Sequence, residues 1–144
     1  MIRRVFIDTD VILDVALARE PFLEASRIVL TLLENNIAIG YMSSNGIANL
    51  YYVLRKSGGD ENARRFISRL IKYITVLSID HSDIVNGLKS SIPDFEDALQ
   101  QFSANRNQCD CIVTRNTNDY KNSLVKVYTP IEFLNLYKER GCTR

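Results

Sequence analysis

Acidic side chains gathered near predicted strand ends are the residues here whose types and spacing could do chemistry. Asp8 closes the apolar run Val5, Phe6, Ile7, and Asp10 and Asp14 follow it. Asp94 and Asp97 stand three apart in DFEDALQ, so both can face one way on a helix. Asn116 and Asp119 lie in a polar loop after CIVT, and Asn49 lies in the helical stretch after the second strand. Several carboxylates aimed at one crevice repel each other. A hard divalent cation relieves that repulsion; Mg²⁺ takes oxygen ligands in octahedral geometry and keeps several waters. One or two such ions activate water and stabilise a phosphodiester transition state.

Each polar residue also has a plainer reading. Asp8 could simply end a strand in a turn. Asp10 reads as an N-cap and Asp14 as a solvated helix residue. Asp94 followed by Asp97 resembles a capping box, with aspartate where glutamate is usual, and the cap is favoured for Asp94. Asp97 sits one position deeper than caps need, which favours chemistry. Asp119 reads equally well as a loop residue. His81 is the sole histidine and reads as solvated, so any histidine acid–base scheme rests on it alone. Ser43, Ser44 and Thr114 have no histidine base placed near them, which weakens a serine hydrolase.

The elements that must position these residues alternate between strand and helix. Strands are expected at Arg3–Asp8, Ile37–Met42, Thr75–Ile79, Cys109–Thr114 and Leu124–Tyr128. Helices are expected from Asp10 to about Ala18, with Thr9 or Asp10 as cap, and from Pro21 to about Glu34. In that second helix Phe22, Ala25, Ile28, Val29, Leu32 and Leu33 point inward. A third runs from Ser43 or Ser44 to about Lys56, stopped by Ser57-Gly58-Gly59, and Asp60 caps a basic helix with Arg64, Arg65, Arg69 and Lys72. Further helices span Asp80 to about Lys89, Asp94 to about Arg106, and Pro130 to about Arg140. This alternation predicts an α/β three-layer fold with a mainly parallel sheet and right-handed crossovers. Ligands bind such sheets at the carboxyl ends of the strands, where Asp8 falls.

Composition is that of one ordinary domain, residues 1–144: 46% hydrophobic, 24% charged, and a net charge of +1. Any basic surface must therefore be local. Three cysteines, Cys109, Cys111 and Cys142, show no disulfide-framework spacing and suit a reducing cytosol. Cys109 and Cys111 are expected to share one strand face as small hydrophobes. No apolar run approaches the ~18 residues of a membrane span, and the first strand leaves no room for a signal peptide.

Four stretches together resemble the PIN domain family of metal-dependent ribonucleases: FIDTDVILD at 6–14, SSNGIANLYYVLRK at 43–56, DFEDALQ at 94–100, and IVTRNTNDY at 112–120. The match covers nearly the whole chain and looks closest to the small bacterial branch of VapC-type toxins. The resemblance implies a five-stranded sheet in the order 3-2-1-4-5, Mg²⁺ or Mn²⁺ as cofactor, an RNA substrate, and often a homodimer. In a toxin it further implies an antitoxin protein partner, in the cytoplasm. The family's first acid falls on Asp8 and its third on Asp97. Its fourth region falls on Thr114, Arg115, Asn116 and Asp119. Two positions depart from the pattern. The second acid falls on Asn49, and the acid two after the threonine falls on Asn116. Asparagine offers a carbonyl oxygen but no charge.

The resulting reading is a ribonuclease in which Asp8, Asp97 and Asp119 are catalytic and Asp8, Asp97, Asp94 and Asn116 hold the metal. Asn49, Asp10 and Thr114 support them. Arg115, Lys121, Arg55 and Lys56 are candidates for phosphate contacts, since phosphate neutralisation supplies much nucleic-acid affinity. Two rivals stand beside it. FIDTDVIL resembles the D-x-D nucleophile motif of haloacid-dehalogenase-type phosphatases, but the threonine, lysine and acidic-pair motifs of that family do not follow in order. The other rival is a catalytically weak or inactive PIN-like domain that binds protein or RNA, as Asn49 and Asn116 would suit.

Overall fold

The apolar run after Arg3 forms β1 (Arg4–Ile7), a strand with Val5, Phe6 and Ile7 buried, and it lies at the centre of the sheet. The computed structural model describes residues 2–120 and 122–141. Its other strands are β2 (Ile39–Ser43), β3 (Ile74–Leu77), β4 (Cys111–Val113) and β5 (Lys126–Tyr128). All pair in parallel, in the order β3-β2-β1-β4-β5. Val5 stands beside Gly40 on one side and Cys111 on the other, which fixes the register at the centre. The expected order 3-2-1-4-5 and parallel pairing are what the sheet shows.

Parallel neighbours need crossovers, and helix pairs supply three of the four, while β4 and β5 are joined by a loop with one short 3₁₀ turn at Thr117–Tyr120. α1 (Thr9–Ala16) and α2 (Leu23–Glu34) join β1 to β2. α3 (Ser44–Gly58) and α4 (Asp60–Leu70) join β2 to β3. α5 (His81–Lys89) and α6 (Phe95–Arg106) join β3 to β4, and α7 (Pro130–Gly141) follows β5. Successive strand residues face opposite sides, so β1 feeds two cores. Val5 and Ile7 join residues of α1, α2, α3, α4 and α7 in the larger one. Phe6 joins Tyr41, Leu77, Ala104, Ile112 and Tyr120 in the smaller.

Local expectations differ in instructive places. Pro21 does not open α2; it lies in the turn before it, after a cis Glu20–Pro21 peptide. That turn is held by the amides of Phe22 and Leu23 on the Arg19 carbonyl. The buried face of α2 is Ser26, Val29, Leu30 and Leu33, while Phe22 and Ile28 are exposed. Leu124 lies before β5 and is 67% exposed. Cys109 and Cys111 belong to opposite cores, because β4 begins only at Cys111 and Gln108 turns at φ 58. The glycine stop after α3 is as expected: Gly59 has φ 88, a left-handed backbone open to glycine at no steric cost.

Candidate functional site

Strand order reverses direction between β1 and β4, and such a switch point opens a crevice beyond the strand ends. A cleft of about 240 Å³ lies there, lined by Asp8, Thr9, Asp10, Leu13, Asn49, Asp94, Glu96, Asp97, Gln100, Asn116 and Asp119. Residues from the end of β1, the start of α1, α3, α6 and the loop after β4 thus converge. Of the residues singled out from sequence, Asp8, Asp10, Asn49, Asp94, Asp97, Asn116 and Asp119 all line it.

Asp8 follows β1 directly, and its amide donates to the Val113 carbonyl at 3.0 Å, so the ladder places it. It is 7% exposed. Thr114 Oγ1 donates to Asp8 Oδ2 at 2.8 Å, and the Tyr120 hydroxyl donates to the same oxygen at 3.1 Å. Burial raises the Asp8 pKa, and the bonds from Thr114, Tyr120, the Thr9 backbone and Gln100 oppose that rise.

Asp97 stands in the first turn of α6, with its amide bonded to the N-cap Asp94 Oδ1 at 3.0 Å. Asp94 therefore fills the capping role its position suggested. The Tyr120 hydroxyl lies 3.4 Å from Asp97 Oδ1, so one buried phenol bridges the carboxylates of Asp8 and Asp97. Burial pushes Asp97 up to about 7, and the charges of Asp8, Asp94, Asp119 and Glu96 push the same way. Burial first, then the charges of Asp8 and Asp97 and the hydrogen bond that Tyr120 donates to Asp8, places the phenol well above its usual range.

Asp10 is not a cap. The N-cap position of α1 is Asp8, and Asp10 reaches from the first turn toward the loop after β4. There its Oδ2 accepts from the Arg115 amide at 3.3 Å and from Asn116 Nδ2 at 3.2 Å, with Thr114 Oγ1 at 3.4 Å. The Asn116 amide in turn donates to Thr114 Oγ1 at 3.1 Å. Burial first, then the Asp8 charge, pushes Asp10 up to about 7. Asp14 is not solvated either. Its side chain is fully buried, 2.6 Å from Arg115 Nε.

The phosphate candidates fall in different places. The Arg115 guanidinium points away from the cleft, against Asp14 and over the Phe22 ring at 4.1 Å. Arg55 and Lys56 are exposed near the end of α3, with Lys56 Nζ 5.6 Å from the Tyr52 ring centroid. Lys121 lies outside the described residues. His81 is exposed at the start of α5, away from the cleft lining. Sequence reading missed Tyr120, Gln100 and Glu96. Gln100 was detectable, since it lies one helical turn after Asp97 and so shares its face.

The donors here are carboxylate, amide and hydroxyl oxygens, the chemistry of a hard cation. Asp10 Oδ1 is buried and has no hydrogen-bond partner in the structure, and two carboxyls are pushed up to about 7 by burial and, after it, by their neighbours' charge. Among the described residues, no three His, Cys, Asp or Glu side chains are drawn together tightly enough to chelate an ion unaided. These features fit an ion that keeps several waters and takes one or two carboxylates directly.

Residues 4–118 match the model of the PIN domain, and the chain belongs to the PIN domain family. Solved structures share its fold at low identity. FitAB bound to IR36 DNA matches at 19% identity and a TM-score of 0.67, over 88% of this chain and 94% of that one. VapBC of Salmonella typhimurium bound to DNA matches at 17% identity and 0.66, over 90% and 99%. VapC20 of Mycobacterium tuberculosis, a sarcin–ricin loop-cleaving toxin, matches at 13% identity and 0.61, over 75% and 86%. A search of curated proteins finds no significant match.

Proposed function

We propose that the chain is a Mg²⁺- or Mn²⁺-dependent ribonuclease and the toxin of a toxin–antitoxin pair. One observation carries this reading: Asp8 and Asp97, from separate elements, meet on the Tyr120 hydroxyl inside a cleft of further acids. Asp8 and Asp97 would hold the cation, with Asp94, Asp119 and the Asn116 amide oxygen at its margin. When bound, it supplies Lewis acidity at a scissile phosphate and activation of water. Asp119, which lines the cleft, would orient the attacking water. Thr114 and Tyr120 hold Asp8 in place, and Asn116 and the Arg115 amide hold Asp10. Arg55 and Lys56 would neutralise flanking phosphates. The likeness to FitAB and VapBC assemblies supports an antitoxin protein as partner, and the family resemblance supports a homodimer acting in the cytoplasm. No described helix is long and apolar enough to cross a membrane. An aspartyl nucleophile is disfavoured, since Asp8 is nearly buried and its Oδ2 is engaged by two hydroxyls.

The test is cleavage of a labelled single-stranded RNA by purified protein with Mn²⁺, with EDTA, and with Asp97→Asn. Cleavage only in the first case supports the reading. Equal cleavage by wild type and Asp97→Asn would assign it to a contaminant. Mn²⁺ binding by calorimetry without cleavage would favour the inactive RNA- or protein-binding domain, which Asn49 and Asn116 suit.

A further inference from the structure

The residue after Thr114 presents its backbone and its side chain to different places. The Arg115 amide donates to Asp10 Oδ2 inside the cleft, at 3.3 Å. Its guanidinium runs the other way, into a socket between α1 and the turn before α2. Asp14 Oδ2 lies 2.6 Å from Nε, and the Phe22 ring covers the guanidinium at 4.1 Å. Asp14 is fully buried and Arg115 is 23% exposed at its side chain. Arg19 stands at the rim, 4.0 Å from Asp14 Oδ1. Neither Asp14 nor Arg115 lines the cleft. A planar guanidinium that stacks on a ring and meets a buried carboxylate is held in one orientation. The socket also accounts for Phe22, a large ring 39% exposed at the head of α2.

We propose that Arg115 is a positioning residue: its guanidinium, anchored by Asp14 and covered by Phe22, fixes the loop whose Arg115 amide and Asn116 side chain hold Asp10 in the cleft. The loop is also tied at its two ends, where Thr114 and the buried Tyr120 donate to Asp8. Between them, Asn116 N bonds Thr114 Oγ1 and Asp119 N bonds the Asn116 carbonyl, both within the loop itself. The anchor therefore adds a side-chain tie from the middle of the loop to α1, the helix that begins beside Asp8. A phosphate contact by Arg115 would require breaking this ion pair, which leaves the buried Asp14 with only the distant Arg19, 4.0 Å away at the rim.

Where activity is concerned this rests on the nuclease reading, so the experiment carries a readout independent of it. Asp14→Asn, Arg115→Gln and the double variant are compared with wild type by amide hydrogen exchange and by RNA cleavage with Mn²⁺. Exchange at the amides of 115, 116 and 119 should quicken in each variant, while amides of β2 and β3 stay unchanged. For cleavage, kcat should fall about 10- to 100-fold with KM unchanged, the cost of a small misplacement in a catalytic site. The double variant should resemble the singles, because the two residues act as one unit. If a single variant does not fold because one charge is left buried and unpaired, the double variant, which neutralises both, carries the test. Unchanged exchange at all three amides overturns the proposal. So does a raised KM in Arg115→Gln with a normal Asp14→Asn, the pattern of a phosphate contact. Quickened exchange in a wild-type background that cleaves no RNA upholds the positioning role and removes the nuclease reading.

Discussion

At the residue scale, the site depends on hydroxyl donors as much as on acids. Asp8 is a nearly buried carboxylate kept in place by Thr114 and Tyr120, and Tyr120 spans to Asp97 as well. Removing one partner of a buried charged acceptor costs more than the bond itself contributed, because the acceptor stays dry. Tyr120→Phe keeps the ring in the smaller core and deletes only the hydroxyl. It should lower stability in EDTA by about 1 to 3 kcal/mol, measured by urea unfolding. A loss near zero would mean that Gln100 or water replaces the phenol. The acids themselves were legible in the sequence because each follows a strand end or opens a helix. Tyr120 was not, since a tyrosine closing a polar loop carries no pattern that points it inward. Asp14 was misread for a related reason: helical spacing gives its direction but not the arginine that arrives from Arg115, about a hundred positions later in the chain. The two asparagines make a further residue-scale case. Asn49 and Asn116 both line the cleft without charge. Asn116 already gives its Nδ2 to Asp10, so Asn116→Asp would set a carboxylate against Asp10. Asn49→Glu meets no such neighbour among the described hydrogen bonds. Calorimetric titration of Mn²⁺ should therefore show tighter binding for Asn49→Glu, most clearly at low salt, and weaker binding for Asp8→Asn. The gain is damped by an effective dielectric near ~20. No change in Asn49→Glu would place that residue outside the ion's reach.

At the element scale, α6 makes Asp94 serve two ends. Its carboxylate caps the helix that carries Asp97, and its charge also raises the Asp97 pKa. The two roles separate by substitution. Asp94→Ala removes both and should cost about 1 kcal/mol of stability, the typical worth of a cap. Asp94→Ser keeps a capping oxygen and removes the charge, so stability should hold while Mn²⁺ affinity falls. Equal affinity in Asp94→Ser and wild type would confine Asp94 to the cap. Elements as such were well legible: β-branched runs gave strands, and the glycine pair ended α3. The errors fall at ends and turns. Pro21 reads as a helix opener because its φ suits that position. Here the chain instead turns through Arg19, whose carbonyl takes the Phe22 and Leu23 amides. That choice belongs to the packing of α1 against α2, which lies beyond any local window. Cys109 was assigned to β4 by composition, but the positive φ of Gln108 shows a turn still in progress there.

At the scale of the whole molecule, the sheet order gathers like charge at one place, and the fold must carry the cost. β1 and β4 bring Asp8 beside the loop after β4, while α6 delivers Asp97 from the other core. Asp10 and Asp97 both sit at about 7, far above the ordinary 3.8 of an aspartate. A carboxyl with a raised folded pKa holds its proton more tightly when folded. Between pH 3.8 and about 7 the native state thus binds more protons than the unfolded chain, and stability falls as pH rises through that window. The stabilising contribution is complete at the acid end and gone above about 7. Asp60, Asp80 and Asp110 shift the opposite way, below 3.8, so their gain is already complete by about pH 5 and cannot mask the trend. The melting temperature in EDTA should therefore drop from about pH 5 to about pH 8. Millimolar Mn²⁺ should recover much of the drop at the alkaline end, since a cation that binds only the folded state stabilises it by mass action. Burial raises Asp8, Asp14 and Glu96 as well, in the same direction. Asp97→Asn removes one of these titrating groups and should make the profile in EDTA shallower while lessening the Mn²⁺ response. A flat wild-type profile between those pH values would show that waters or loop motion already relieve the repulsion. A drop that Mn²⁺ leaves untouched would show instead that the acids crowd together without holding an ion, and the cleft would then lose its claim to metal-dependent chemistry.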